Sequence, residues 1–131
     1  MIKENVYKRL LSPDIVKDDQ VKIDIALLFE IYNRQSIYST CLSPGQSITP
    51  HYHMKGNEIY YIISGGGIIR TKNNQANTTS KNKVRAGDIF KIEPNVIHQL
   101  ENDSTEEQLF LLFICDPSHL SNDRYIVEDS F

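Results

Sequence analysis

At 131 residues, with 14 basic and 17 acidic side chains, the chain has a net charge of -3, and its charges are spread without a block of either sign. That length fits one domain, burying roughly two thirds of the surface its unfolded chain exposes, and leaves no room for a second catalytic domain. With no basic track for a phosphate backbone, nucleic acid is not an expected partner.

Three segments are expected: residues 1–20 as an N-terminal piece, 21–116 as the folded body and 117–131 as a tail. The first, mixed and charged, breaks at Ser12-Pro13-Asp14, with a short strand or helix open on either side. It lacks the apolar core of a signal peptide, and no later run reaches the roughly 18 apolar residues of a membrane span. A cytoplasmic location is therefore expected. Val21, Ile23 and Ile25 alternate with Lys22 and Asp24 before the apolar run from Ala26 to Phe29, which reads as a strand passing from half-buried to buried. Asn33-Arg34-Gln35 is an expected turn. Gln35 to Leu42 is the next strand, and Ser43-Pro44-Gly45 turns the chain again.

His51 and His53 are two apart, and a strand has a side-chain period of two, so both imidazoles leave one face. The polar stretch Met54 to Asn57 then turns the chain into Glu58 and the β-forming run Ile59 to Ile63, so the return strand can set a carboxylate beside the imidazoles. Two histidines and a carboxylate with positions left open form a ligand set for non-haem Fe(II) and related divalent metals. Tyr60 shares strand parity with Glu58 and should face the same cavity, where its phenol would orient a substrate, shuttle a proton or simply fill space; Tyr52 and Tyr61 point away.

Ser64 to Gly67 separates Ile59–Ile63 from Ile68–Thr71 as a hairpin would. Lys72 to Lys83 is polar without apolar period and reads as a solvated loop tip. Gly87 opens a β-rich stretch that bends at Pro94-Asn95 and delivers His98, a fourth candidate ligand. Leu109 to Cys115 is apolar on both faces, so its outer face calls for a second sheet or a partner subunit, and a homodimer is expected. In the polar tail Tyr125, Ile126, Val127 and Phe131 are possible anchors across its own or a neighbouring barrel.

Together the two blocks resemble the cupin family. Its first motif, Gly-x5-His-x-His-x3-4-Glu-x6-Gly, is matched by Gly45, His51, His53, Glu58 and Gly65. Its second, Gly-x5-Pro-x-Gly-x2-His-x3-Asn, is matched by Gly87, His98 and Asn102, with Glu93 in place of the proline, displaced to Pro94, and Asn95 in place of the glycine. Asn tolerates a left-handed backbone, so that exchange keeps the turn.

The resemblance implies an all-β, antiparallel double-stranded β-helix, or jelly-roll barrel. It also implies one divalent transition metal per chain on His51, His53, Glu58 and His98: Fe or Mn first, with Zn, Ni, Co or Cu also compatible. The leading expectation for function is a dioxygenase-like oxidoreductase acting on a small oxygenated substrate, with Glu58 and Tyr60 catalytic and Tyr38 and Tyr60 binding substrate. A metal-dependent isomerase, decarboxylase or lyase, or a non-catalytic small-molecule-binding barrel, is the alternative. Outside this set, His119 reads as a surface residue and Arg70 as an exposed strand charge or, if inward, a carboxylate clamp. Cys41 and Cys115 read as small apolar residues, neither nucleophile nor redox pair.

Overall fold

The structure, a computed structural model, describes residues 1–32 and 34–131; the turn expected around Asn33 lies outside the described residues. Helix α1 (Val6–Leu10) is followed by strands β1 (Val16–Asp18), β2 (Ile23–Ile31), β3 (Gln35–Leu42), β4 (His51–Tyr52), β5 (Glu58–Ser64), β6 (Gly66–Asn73), β7 (Thr78–Arg85), β8 (Ile89–Ile92), β9 (Val96–Glu101) and β10 (Leu109–Cys115). A 3-10 turn (Pro117–Leu120) and β11 (Tyr125–Ile126) complete the chain. The strands form two antiparallel sheets, ordered β1-β2-β3-β10-β5-β8 and β11-β4-β9-β6-β7, the double-stranded β-helix architecture that the sequence implies. The N-terminal question resolves to both elements. A helix capped by Asn5, whose side chain accepts from Lys8 N at 3.1 Å, precedes the Ser12-Pro13 break, and a strand follows it.

Alternation sorts side chains between core and surface. Leu109, Leu111, Phe113 and Cys115 of β10 are buried between the sheets against Leu42, Ile62 and Leu100, while Phe110, Leu112 and Ile114 stay half-buried on the outer face. Part of that outer face is covered from within the chain. Tyr7 of α1 meets Phe110 edge-on, with ring centroids 4.9 Å apart.

Two local readings change. The glycine run is not a hairpin tip, because β5 and β6 belong to different sheets; the chain crosses between them at Gly65, whose φ is +78°. A Cβ at Gly65 would strike the Gln108 carbonyl, and one at Gly67 the Glu101 carbonyl. The bare backbone is therefore needed at Gly65 where the chain passes the start of β10, and at Gly67 where β6 lies against its neighbour β9.

The polar stretch after Lys72 is mostly strand. β6 and β7 pair in unbroken register from Gly66–Arg85 to Asn73–Thr78, leaving four residues at the tip, where Asn77 takes φ +54°. β7 is an edge strand exposed along nearly its whole length, so backbone pairing rather than burial defines it. Its lysines suit an edge that must not pair with another chain. Among the described residues no helix is long and apolar enough to cross a membrane.

Candidate metal centre

β4 and β9 place His51 directly opposite His98, and His53 follows β4 by one residue; all three rings are buried. Ring centroids are 4.3 Å apart for His51 and His98, 5.0 Å for His51 and His53, and 5.4 Å for His53 and His98. One nitrogen from each of the three rings lies within 4.8 Å of the other two.

The turn into β9 is formed by Asn95 at φ +66°, whose N–H donates to the His53 carbonyl at 2.7 Å. The left-handed Asn substitutes for the family's glycine as the motif implies, and it ties the two motifs together. Asn102 closes the other end, donating to Leu42 O at 3.0 Å and Glu107 O at 2.8 Å.

Every ligand-candidate histidine is held by a backbone carbonyl at Nδ1: His51 by Thr49 O at 2.7 Å, His53 by Asp123 O at 2.6 Å and His98 by Val96 O at 3.0 Å. A carbonyl only accepts, so Nδ1 carries the hydrogen and Nε2 the lone pair, the tautomer a metal ligand needs. The Nε2 atoms of His53 and His98 are buried without a hydrogen-bond partner.

Glu58, opening β5, sets Oε2 3.2 Å from His53 Nε2 and Oε1 3.6 Å from His98 Nε2. Lone pairs thus face carboxylate oxygens, acceptor against acceptor, an arrangement that a shared cation reconciles. The donor set fits a divalent ion on that ground. Burial followed by the neighbouring His98 pushes the His51 pKa well below the ordinary imidazole value. For Glu58 burial pushes upward, but hydrogen bonding, led by the His119 imidazole, outweighs it and holds the carboxyl well below its usual range.

Tyr60 is buried on the same wall, its ring 6.0 Å from His98 and edge-on to it. Burial, and then the Glu58 charge, raise its phenol pKa well above the ordinary value, so the hydroxyl keeps its proton. Tyr38 is also buried but stacks on Phe113, with centroids 5.1 Å apart, and is not among the residues that line the metal cavity. Burial lifts the thiol pKa of Cys115, and that of half-buried Cys41 rises for the same reason. Arg70 pairs with Glu101 at 3.2 Å, so the carboxylate it clamps is the chain's own.

His119 is a correction: expected on the surface, it is 1% exposed. The C-terminal residues form a strap over the site. Asp123 accepts from Met54 N at 2.7 Å and Lys55 N at 3.0 Å, and β11 pairs with β4, Ile126 opposite His51. The strap carries His119 into the centre, with Nε2 2.6 Å from Lys55 O and Nδ1 3.3 Å from Glu58 Oε2. Burial lowers its pKa, but the Glu58 carboxylate and the Lys55 carbonyl together raise it above the usual imidazole value.

Arg124, also unforeseen, is buried beside the cavity in a two-point pair with Asp18 at 2.6 and 3.0 Å. All four histidines of the chain therefore converge. The one sequence cue for His119 was that it is the single histidine outside the motifs. The cavity, walled by Ile23, Ile25, Tyr60, Phe113, Leu120 and Arg124, offers about 20 Å³ in which the centre of a water molecule can move. That is room for roughly one or two waters.

The cupin domain, as a family, matches residues 38–115. The chain belongs to the cupin family. An uncharacterised protein of Methanocaldococcus jannaschii is 31% identical over 94 residues, 70% of each chain. Legumin type B of Vicia faba is 31% identical over 64 residues, which are 49% of this cupin but only 20% of the legumin.

Among solved structures, an uncharacterised conserved protein with a double-stranded β-helix domain from Klebsiella pneumoniae superposes with a TM-score of 0.71 at 20% identity, covering 97% of this chain and 92% of that one. The capsular polysaccharide assembling protein CapF from Staphylococcus aureus gives 0.71 at 20% identity over 87% of this chain and 34% of its own. Oxalate oxidase in complex with the substrate analogue glycolate gives 0.60 at 21% identity over 72% and 46%. At these identities the structural matches show the fold alone.

Proposed function

We propose that this cupin is a metal-dependent enzyme acting on a small oxygenated molecule, of dioxygenase-like oxidoreductase type. The observation that carries the reading is the set of three imidazole nitrogens gathered within 4.8 Å of one another, two of them without a partner and set beside one buried carboxylate. His51, His53 and His98 would hold the ion through Nε2 and Glu58 through a carboxylate oxygen. A bound Fe or Mn ion would supply Lewis acidity and redox access to O₂. Tyr60, kept protonated, is a hydrogen-bond donor for a substrate oxygen. Ile23, Ile25, Leu111 and Phe113 give the cavity apolar walls beside its polar groups.

With the strap in place the cavity holds one or two waters, so a substrate of several heavy atoms requires the strap to move. The same small volume favours, as a second reading, a non-catalytic barrel in which a metal anchors a water-sized ligand. Oxygen uptake by Fe- and Mn-loaded protein against a panel of hydroxy acids, dicarboxylates, diketones, catechols and thiols separates them. Glycolate and oxalate belong on the panel because a structurally similar oxidase binds the former. Uptake with one of these compounds that disappears in Glu58→Ala is the expected result. Conversion without O₂ would replace it with Lewis-acid chemistry, and ligand-induced stabilisation with no turnover with the second reading.

The homodimer is part of the same proposal. Cross-strand rows Ile37–Ile114–Ile59 and Leu112–Tyr61–Ile89 run over the outer face of the six-stranded sheet, with Ile89 66% exposed. A second copy of the same face is the self-complementary cover. Sedimentation at micromolar concentration is expected to give twice the chain mass of 15.1 kDa, and a species of 15.1 kDa would overturn it.

A further inference from the structure

The two sheets meet along two seams, and the seams differ. At one, Asp18 of β1 meets Arg124, which stands next to β11, in an ion pair of 2.6 Å. At the other, β8 ends the six-stranded sheet and β7 the five-stranded one, and among the described residues no hydrogen bond or ion pair joins these two strands. This open seam is a groove with about 330 Å³ in which the centre of a water molecule can move, against about 20 Å³ in the metal cavity. Ile69, Val84, Phe90 and Ile92 give it an apolar lining, with Thr71 and Lys91 among its polar groups.

The groove stops one residue short of the metal centre. Alternation along β8 turns Phe90 and Ile92 inward and leaves Ile89 and Lys91 exposed. Register then sets Ile92 opposite Glu58 and Phe90 opposite Tyr60, while on the other lip Thr71 lies opposite His98. Phe90, half-buried, meets the buried Tyr60 edge-on with ring centroids 5.2 Å apart, and Tyr60 meets His98 at 6.0 Å. Phe90 is thus the outermost ring of a row that leads from the groove to a ligand histidine. It is also free to move, because its edge strand is paired only with β5 and the groove beside it has room for the ring. Rotation of a partly exposed side chain takes picoseconds to nanoseconds, whereas lifting the strap breaks the Arg124 pair and the Asp123 bonds to Met54 and Lys55.

We propose that the seam between β7 and β8 is the entrance for dioxygen and that Phe90 is its gate. The inference rests on the dioxygenase reading of the centre. Dioxygen is small and apolar, and apolar cavities in proteins take up apolar guests such as xenon. A substrate of several heavy atoms enters under the strap and is shut in when the strap returns, so the second reactant then needs a way of its own. The seam supplies one on the flank the strap leaves open, since β11 pairs with β4 at the opposite side of the five-stranded sheet from β7.

The test mixes Fe(II)-loaded protein, without air, with nitric oxide, a diatomic of similar size that colours ferrous iron on binding whether or not a substrate is turned over. At equal iron content, Phe90→Ala is expected to bind nitric oxide several-fold faster than wild type and Phe90→Trp several-fold slower. Any other order of the three rates overturns the proposal. Should a variant fail to fold, wild-type crystals under xenon pressure decide: xenon seated against Phe90 in the seam supports the entrance, and xenon under the strap alone, or none bound, sinks it. Wild-type protein that takes up no iron, or takes it up and binds no nitric oxide, removes the open metal centre and the gate with it. Because the probe binds without turnover, a wrong order of rates removes the gate and leaves the dioxygenase reading standing, whereas absence of oxygen uptake with the substrate panel removes that reading and the dioxygen entrance together.

Discussion

His53→Ala combined with His98→Ala is expected to abolish the uptake of one divalent ion per chain that protein purified without a histidine tag should show. Both residues present a buried Nε2 with no hydrogen-bond partner, each aligned by a carbonyl at Nδ1. Changes in the groups that merely orient a ligand cost about 10–100-fold in metal affinity, so loss of two donors should exceed about 100-fold. Thermal melting gives a second readout. Ligand present at 100 times its Kd stabilises a fold by about 2.7 kcal/mol, so wild-type protein should melt higher with Mn(II) or Co(II) and the double variant should not respond. Stoichiometric metal in the double variant would mean that the ion sits elsewhere and that the unpartnered nitrogens need another explanation.

What was legible in the sequence was whatever follows from local period and backbone tolerance. The parity of β5 put Glu58 and Tyr60 inward and Tyr61 outward because strand side chains alternate whatever the partner strand. Asn95 could be read as a left-handed turn because few other residues tolerate that conformation. Where the reading failed, the deciding partner was distant in sequence. The glycine run resembled a hairpin tip because nothing local shows that β5 pairs with β10 and β6 with β9. The ribbon of β7 looked like a loop because a strand solvated on both faces has no apolar period. His119 looked like a surface residue because its burial depends on the Asp123 side chain capping the Met54 and Lys55 amides, 69 and 68 residues away, and on Glu58, 61 residues away.

The strap that carries His119 is fastened at Arg124, and removing that guanidinium is expected to have the largest effect on stability. Arg124 spans Asp18 with both terminal nitrogens and donates its Nε–H to the His119 carbonyl at 3.1 Å, joining β1, the strap and the metal cavity in one contact. Its side chain is 4% exposed and that of Asp18 10%, so neither charge has much water to fall back on. Arg124→Met preserves much of the apolar stem but leaves the carboxylate without its counter-charge, a change that typically costs 3–5 kcal/mol for a buried pair. Amides of Gln20 and Val21 still donate to Asp18, at 3.2 and 3.3 Å, which places the expected loss near the lower bound, about 3 kcal/mol. For a domain of this size that is roughly a 10 °C fall in Tm. Adding Asp18→Leu should recover much of the loss, because the unpaired carboxylate rather than the missing contact is the main cost. Release of metal to a chelator should remain faster than wild type in both variants, since the strap also presents the Asp123 carbonyl that aligns His53. A melting temperature for Arg124→Met within about 2 °C of wild type, less than 1 kcal/mol, would show that Asp18 is not held by this pair and that the strap closes the site without it.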